Sequence, residues 1–246
     1  MQYLILSDIH GNLEALDAVL AAEPEATRGR VVVLGDLVGY GADPNAVIDR
    51  VRGLDAVAIR GNHDKVVCGL APLSGFNAAA RTAAEWTREA LTPAALDYLT
   101  SLPAGPYDVD EQVAICHGAP FDEDAYLFDE RDVHRAFRAI HRPLCLFGHT
   151  HVPVAWSCDP HGVDLCSPGD RTETSIALKT GVRYLVNPGS VGQPRDGDPR
   201  AAYARVDTEA GTLVLRRVAY AVHEAQQKIL SAGLPAALAM RLARGR

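Results

Sequence analysis

The sequence predicts an α/β fold in which two sheets pack together and helices cover their outer faces. In the first part of the chain, short apolar runs alternate with amphipathic helical segments, which is typical of a largely parallel sheet. In the last third, strand-like segments are joined at glycine turns, which indicates antiparallel strands. A sheet that turns antiparallel late in the chain favours two packed sheets.

Strands and helices are expected to alternate in the N-terminal third. Three apolar runs are rich in strand formers, at residues 3–6, 31–34 and 56–59. Residues 12–22 carry apolar side chains at helical spacing. Asp43 is placed to cap a second helix, with Pro44 at its first position and an end near residue 52.

The middle of the chain, residues 77–101, is rich in Ala and Leu and is predicted to be helical with a break at Pro93. Thr92 is the expected cap of the helix that follows this break. Two strands and one helix are expected next, at residues 113–116, 144–147 and 129–140.

Two hairpins are predicted in the last third, at residues 174–180 with 183–186 and at residues 203–207 with 212–218. Residues 222–246 are predicted to form two short helices broken at Gly233 and Pro235. The sequence contains no repeat, low-complexity stretch or linker. Residues 1–246 are therefore expected to form one domain that ends in this helical segment.

Composition limits the functions to consider. The net charge is −7, with no basic footprint, so stable nucleic-acid binding is not expected. No apolar run approaches the ~20 residues of a membrane span, and the N-terminus lacks signal-peptide features. The number of cysteines is odd, at five, and no Cys-x-x-Cys pair occurs, so a zinc site built from cysteines is not expected. Reduced cysteines in a cytoplasmic protein are the favoured interpretation.

Five short motifs rich in Asp, His and Asn each follow a predicted strand. In chain order they are Asp8-Ile9-His10, Gly35-Asp36, Gly61-Asn62-His63-Asp64, His117-Gly118 and Gly148-His149-Thr150-His151. Open α/β sheets place their ligands at the carboxyl ends of strands. The motifs supply enough carboxylate, amide and imidazole donors for two adjacent divalent ions, and such centres typically hydrolyse phosphate esters.

Taken singly, each motif also has a structural interpretation. The second motif is typical of a turn, and the third of a loop with Asx-type hydrogen bonds. Asp8 and His10 are predicted to point the same way from extended chain and to reach one ion. His149 and His151 would be expensive to bury without a ligand. The ordered occurrence of all five motifs favours the metal site.

In this order, the five motifs resemble those of the calcineurin-like metallophosphoesterases. The resemblance covers residues 1 to about 200 and implies a four-layer α/β/β/α sandwich of two mixed sheets flanked by helices. It implies two sets of metal ligands, namely Asp8, His10, Asp36 and His151 for one ion and Asp36, Asn62, His117 and His149 for the other. It also implies that His63 is catalytic and faces the substrate phosphate, and that Asp64 orients His63.

Within that family, the sequence looks most similar to the small bacterial and archaeal phosphodiesterases, on the basis of two loops. Residues 35–41 lack the Asp-Arg-Gly that follows the second motif in protein Ser/Thr phosphatases and symmetrical dinucleoside tetraphosphatases. Residues 187–195 match a late loop of the small subgroup. The expected function is a dinuclear-metal phosphodiesterase acting on a small phosphate ester, with nucleotides among the candidates, through metal-activated hydroxide. The ligands suit Mn²⁺, Fe²⁺ or Zn²⁺, with Mn²⁺ favoured.

Other functions stay open at this level. They are a phosphomonoesterase, a protein phosphatase, a nuclease, and a non-catalytic binding module such as the retromer subunit of the same fold. The acidic balance disfavours the nuclease, and the complete set of motif residues favours an enzyme over the binding module. The sequence indicates neither the natural substrate nor the oligomeric state.

Three further residues are weaker candidates for substrate contacts. Arg195 lies in a Gly/Pro-rich loop and is suited either to clamp a phosphate or to be solvated. Asn12 is suited to bind substrate, but capping of the helix that it precedes is favoured. Tyr40 is suited to stack on a base, but packing in the interior is favoured.

Overall fold

Two six-stranded mixed sheets form the centre of the computed structural model, which describes residues 1–25, 29–166 and 171–246. The first sheet has the spatial order β3 (Val57–Ala58), β2 (Arg30–Val33), β1 (Gln2–Leu6), β11 (Ala201–Asp207), β12 (Thr212–Val218) and β9 (Glu173–Ala177). The second has the order β4 (Tyr107–Asp108), β5 (Val113–Ile115), β6 (Leu144–Leu146), β10 (Arg183–Asn187), β7 (Val154–Asp159) and β8 (Gly162–Cys166).

Each sheet has a parallel part and an antiparallel part. Strands β3, β2 and β1 run parallel, whereas β11, β12 and β9 continue that sheet with antiparallel pairing. In the second sheet, β5, β6 and β10 are parallel, and β4, β7 and β8 are antiparallel to their neighbours. The parallel strands carry the motifs, so their carboxyl ends meet at one edge of the sandwich.

Eight α-helices and a 3₁₀ turn at Leu73–Gly75 accompany the sheets in the described residues. The helices are α1 (Leu13–Ala22), α2 (Pro44–Gly53), α3 (Asn62–Val67), α4 (Ala78–Ala90), α5 (Pro93–Ser101), α6 (Glu130–Ala139), α7 (Val222–Ser231) and α8 (Ala236–Leu242). The Thr92 side chain caps α5 as predicted, accepting a hydrogen bond of 3.2 Å from the Ala95 N–H.

Alternating side chains of the strands build three packed interfaces. Ile5 and Val32 of the first sheet pack against Ile115 and Leu146 of the second between the two sheets. The opposite face of the first sheet packs on α1, α2 and α5, and that of the second packs on α6. The layers therefore follow the order helix, sheet, sheet, helix, which confirms the predicted fold class.

The predicted pairing of residues 174–180 with 183–186 is wrong. Strand β9 pairs with β12 in the first sheet, whereas β10 lies between β6 and β7 in the second, so the turn at Gly181 connects the two sheets. Four of the five residues in β10 are buried, which suits a central strand, whereas β9 is a half-exposed edge strand. The burial of β10 between β6 and β7 therefore decides its position, although the short turn at Gly181 favours pairing with β9.

Several elements were not predicted. Strands β4, β7 and β8 were missed, as was α3, which begins inside the third motif. Asp43 precedes α2 but does not cap it through its side chain, because the carboxylate accepts a hydrogen bond of 2.8 Å from Lys228 on α7. Among the helices in the described parts of the chain, none is long and apolar enough to cross a membrane.

Candidate metal centre

The five motifs converge at one edge of the sandwich, just beyond the carboxyl ends of β1, β2, β3, β5 and β6. Two overlapping groups of potential ligands form there. The first comprises Asp8, His10, Asp36 and His151, and the second Asp36, His117 and His149. In each group, one donor atom per residue lies within 4.8 Å of all the others, and all of these residues are buried.

Asp36 is the residue common to both groups. Its Oδ2 atom lies 3.5 Å from His10 Nε2 and 3.4 Å from His117 Nε2. On the first side, His151 Nε2 lies 3.3 Å from Asp8 Oδ1 and 3.2 Å from His10 Nε2. On the second side, Asn62 Oδ1 lies 3.1 Å from His117 Nε2 and adds an amide oxygen.

Backbone carbonyls orient three of the imidazoles. The Nδ1 atoms of His10, His117 and His151 lie 3.1, 2.9 and 2.6 Å from the carbonyl oxygens of Val38, Leu34 and Gln193, respectively. Because a carbonyl accepts, Nδ1 carries the hydrogen, and Nε2 is the nitrogen directed at the cluster. Metal-binding histidines are held in this way by outer hydrogen bonds.

The backbone of the site is strained in a regular manner. Asp8, His10, Asp36, His149 and His151 all have φ between 51° and 67°. This left-handed region is disfavoured for residues other than glycine. The prediction that Asp8 and His10 extend from the strand is therefore wrong, although the two side chains do converge.

Cross-strand hydrogen bonds hold the turn that follows β1. The N–H groups of Asp8 and His10 donate to the carbonyls of Gly35 and Asp36 at 3.1 and 2.9 Å. Gly148 allows the last motif to approach, since a Cβ there would lie 2.8 Å from Asp8 Oδ2. The ligand geometry thus depends on loops that brace one another.

Burial sets the protonation of most histidines in the site. It lowers the pKa of His149 to about 3 and moves the pKa values of His10 and His151 well below their usual range. Burial also disfavours protonated His117, but the Asp36 carboxylate prevails and raises its pKa to about 10. The site therefore combines neutral imidazoles with one buried carboxylate–imidazolium pair.

This donor set fits divalent cations. His149 Nε2 is buried and has no hydrogen-bond partner in the described structure, although burying an unsatisfied polar atom is unfavourable. Burial raises the pKa of Asp8 to about 6, which a cation would counteract. A cation would also take the place of the proton on His117, because metal ligands must be deprotonated.

His63 is held differently from the prediction. The Asp64 carboxylate accepts hydrogen bonds from the Leu37, Val38 and Gly61 N–H groups at 3.3, 3.1 and 2.9 Å, not from the His63 ring. His63 Nδ1 is buried without a hydrogen-bond partner among the described residues. In the described structure no hydrogen bond joins Asp64 to the His63 ring, because the N–H groups of Leu37, Val38 and Gly61 occupy the Asp64 carboxylate.

Packing fixes the His63 ring instead. The ring centroids of Tyr40 and Phe76 each lie 4.4 Å from that of His63, and His10 contacts it edge-on at 4.9 Å. A Cβ on Gly39 would lie 2.5 Å from His63 Nδ1, so the ring packs directly on that glycine. Burial lowers the pKa of His63 to about 4, and the ring is neutral at pH 7.

The three weaker candidates all lie near the cluster. Asn12 caps α1 as favoured, since its Oδ1 accepts from the Ala15 N–H at 3.1 Å while Nδ2 donates to the Gly192 carbonyl at 2.8 Å. Tyr40 is packed, with its ring 4.6 Å from that of His10. Arg195 is half-buried beside Tyr40, and its Nε has no hydrogen-bond partner in the described structure.

Two aromatic residues at the mouth of the site were not singled out from the sequence. Tyr126 stacks on His149 with a centroid distance of 3.9 Å, and Phe128 stacks on Tyr126 at 4.8 Å. Their exposed fractions are 40% and 75%, respectively. The same loop is tied to α3, since Glu123 accepts hydrogen bonds from Arg60 and Lys65. The sequence signal that could have identified them is the high aromatic content of the loop that follows β5 and His117.

A buried carboxylate–imidazole cluster at the strand ends of a four-layer sandwich defines the class as a metal-dependent phosphoester hydrolase. Comparison with known proteins agrees, since residues 1–211 match the calcineurin-like phosphoesterase superfamily domain. The chain belongs to this superfamily, which confirms the resemblance found in the motifs.

Individual relatives are similar over most of the chain. An uncharacterized protein of Methanocaldococcus jannaschii is 36% identical, covering 98% of this chain and 97% of its own. The crystal structure of a metallophosphoesterase from Sphaerobacter thermophilus is 38% identical, with full coverage of both chains and a TM-score of 0.89. Phosphodiesterase YfcE of Escherichia coli is 25% identical, covering 87% of this chain and 91% of its own.

Proposed function

We propose that this enzyme is a dinuclear-metal phosphodiesterase that acts on a small nucleotide-like substrate. The observation that supports two ions best is the position of Asp36 Oδ2, which lies 3.5 Å from His10 Nε2 and 3.4 Å from His117 Nε2. One carboxylate is thus suited to join two ligand sets. Mn²⁺ is the favoured ion, because mixed carboxylate, amide and imidazole ligands suit it, as they also suit Fe²⁺ and Zn²⁺.

The proposed ligand sets follow from the two groups. Asp8, His10, Asp36 and His151 would hold one ion, and Asp36 would share the second with Asn62, His117 and His149. When bound, the ions supply Lewis-acid polarisation of the phosphate and acidify a water molecule at neutral pH. The protein residues hold these groups in place and keep the cluster buried.

His63 is the proposed catalytic residue. Its ring is fixed by Tyr40 and Phe76, with Nδ1 against Gly39, and Nε2 is the ring nitrogen left to face a phosphate. A bound phosphate would favour the protonated ring and so raise a pKa that burial lowers to about 4. His63 then donates a hydrogen bond to the phosphate and a proton to the leaving oxygen. Asp64 supports it by bracing the backbone of the surrounding loops.

The mouth of the site supports an aromatic, nucleotide-like substrate. Tyr126 stacks between His149 and Phe128, and Phe128, which is 75% exposed, is the ring of the pair that is suited to accept a base. Arg195 lies beside Tyr40 and is suited to bind phosphate oxygens. The similarity to a protein named as a phosphodiesterase favours diesters over monoesters.

We also propose that the enzyme works in the reducing environment of the cytoplasm. All five cysteines are free thiols. Cys116 and Cys145 remain unlinked although their Sγ atoms lie only 3.9 Å apart in the core.

Hydrolysis of bis-p-nitrophenyl phosphate with added Mn²⁺ tests the proposed function. We expect turnover that depends on the metal and is lost after chelation. Metal content is measured in the same samples. Two bound ions without turnover on this or any nucleotide diester would contradict the enzymatic proposal and favour a binding module.

His149→Ala should lower metal occupancy, because the variant removes the buried Nε2 atom, which has no hydrogen-bond partner among the described residues. We expect loss of the ion that Asp36, Asn62, His117 and His149 would hold, so the metal content should fall towards one ion per chain. Elemental analysis after dialysis measures this, with the exposed His141→Ala as the matched control. An unchanged content of two ions would refute His149 as a ligand.

Phe128→Ala should weaken binding of nucleotide substrates while leaving the metals in place. Stacking on a base contributes about 1–3 kcal/mol, so we expect KM to rise by at least about 5-fold with little change in kcat. Tyr107→Ala is the matched control, since Tyr107 is also an exposed aromatic residue, at 42%, on the edge strand β4. Equal KM values in the wild type and Phe128→Ala would exclude the stacking role.

A further inference from the structure

Two arginines from different parts of the chain converge on the rim of the metal centre. Arg195 is the last residue of the late loop, residues 187–195, and Arg241 lies on α8. The guanidinium carbon of each lies 5.9 Å from the centroid of the Tyr40 ring. Both guanidiniums donate to one acceptor, Gln193 Oε1, at 3.1 and 3.2 Å.

Acidic side chains of the described residues do not balance the charge of this pair. In the described parts of the chain, neither Arg195 nor Arg241 forms an ion pair with a side-chain carboxylate. The nearby acids are engaged elsewhere, since Asp196 pairs with Arg217 and Asp43 pairs with Lys228. A further contact of the Arg241 guanidinium is with the main-chain oxygen of Arg246, the last residue described, at 2.6 Å.

Two observations show that the pair is incompletely satisfied. Arg195 Nε is buried and has no hydrogen-bond partner in the described structure. Burial lowers the pKa of Arg241, and the like charge of Arg195 lowers it further. Two guanidiniums that share a neutral acceptor in a partly buried position repel each other, and a bound anion would relieve this repulsion.

The pair is coupled to the catalytic machinery through its neighbours. The Tyr40 ring also contacts His10 and His63, at 4.6 and 4.4 Å. The Gln193 carbonyl accepts from His151 Nδ1 at 2.6 Å, so the residue that holds both arginines also orients a proposed ligand. The subsite is therefore adjacent to the cluster but distinct from it.

Arg241 comes from the C-terminal helices, beyond the residues that match the superfamily domain. The superfamily domain matches residues 1–211, whereas α8 begins at Ala236. Arg241 therefore lies outside the part of the chain that matches the domain. A residue added from the C-terminal helices is suited to set substrate choice, while the shared domain carries the hydrolytic centre.

We propose that Arg195 and Arg241 form an anion subsite that binds a second phosphate of the substrate, next to the phosphate that is hydrolysed. This inference rests on the proposed phosphodiesterase function and narrows its substrate class to nucleotides with a further phosphate. Paired guanidiniums suit phosphate because their N–H groups match its oxygens in charge and geometry.

Two chromogenic substrates that differ by one phosphate test this proposal. They are thymidine 5′-(p-nitrophenyl phosphate) and the same compound with a 3′-phosphate. For the metal-replete wild type we expect kcat/KM to be at least about 10-fold higher with the additional phosphate. In Arg241→Gln this preference should fall towards one. Arg241→Lys, which keeps the charge but not the planar fork, should be intermediate.

A binding measurement separates this proposal from the function on which it rests. Calorimetry with thymidine 3′,5′-bisphosphate and thymidine 5′-monophosphate should show the same preference, and Arg241→Gln should lose it. Arg244→Gln, on the exposed Arg244 beyond α8, is the matched control and should keep it. Absence of turnover with a retained binding preference would contradict only the phosphodiesterase function. Equal affinities in the wild type, or an unchanged preference in Arg241→Gln, would overturn the anion subsite.

Discussion

His63→Ala is expected to reduce turnover by ~10²–10⁴-fold while leaving the metal content near normal. The variant removes the ring that is proposed to donate to the phosphate and to the leaving oxygen. It keeps the backbone N–H of residue 63, which donates to Asp36 Oδ1 at 2.8 Å. The support for the metal cluster therefore remains. Steady-state kinetics with bis-p-nitrophenyl phosphate, together with elemental analysis, measure both quantities.

The control for this variant is His134→Ala, because His134 is 46% exposed on α6 and pairs only with Glu130 in the described structure. Thermal unfolding of both variants checks that loss of the packed His63 ring does not unfold the protein. If the metals are lost together with activity, His63 is itself a ligand. If turnover stays within about 10-fold of the wild type, His63 has no catalytic role.

Asp36→Asn is expected to have the largest effect of any single substitution. The amide keeps the shape of the side chain but replaces the charged oxygen between His10 and His117 with a group that cannot bridge two cations. We expect both ions to bind weakly. Turnover should fall by more than ~10³-fold, since individual electrostatic contacts in such sites contribute ~10²–10³-fold. Titration calorimetry with Mn²⁺ and kinetics with bis-p-nitrophenyl phosphate test these expectations.

Asp49→Asn is the matched control. Asp49 is 74% exposed on α2, and its substitution makes the same change of charge on the surface rather than in the cluster. It should bind two ions with wild-type affinity. Full occupancy of both positions in Asp36→Asn would show that this carboxylate does not join the two ligand sets. Loss of only one ion would assign Asp36 to a single set.

The sequence was sufficient to predict that the motif residues converge at one edge of the sheets. Each motif follows a buried run of strand-forming residues, and the carboxyl ends of parallel strands meet at one edge. The outer helices could be predicted in the same way, because Pro44, Thr92 and Pro93 mark helix starts by local chemistry. These features depend on residues close together in the chain.

Features that depend on distant residues could not be predicted. The short connection at Gly181 indicated a hairpin, but β10 is drawn into the second sheet because β6 and β7 offer a buried position there. The left-handed turn at Asp8 is imposed by hydrogen bonds to residues 35 and 36.

The contacts of individual site residues also depend on residues that are distant in the chain. The role of Asp64 in orienting His63 was implied by the family resemblance, yet three backbone N–H donors occupy the Asp64 carboxylate. Phe76 and Tyr126 pack on His63 and His149 from loops whose course the sequence does not reveal.

The most direct test of a cluster that holds two cations is anomalous diffraction from crystals grown with saturating Mn²⁺. We predict two peaks at the strand ends, one on each side of Asp36, with His149 and His151 bound to different ions. A single peak, or none, in metal-replete crystals would contradict the dinuclear centre from which the proposed catalysis follows.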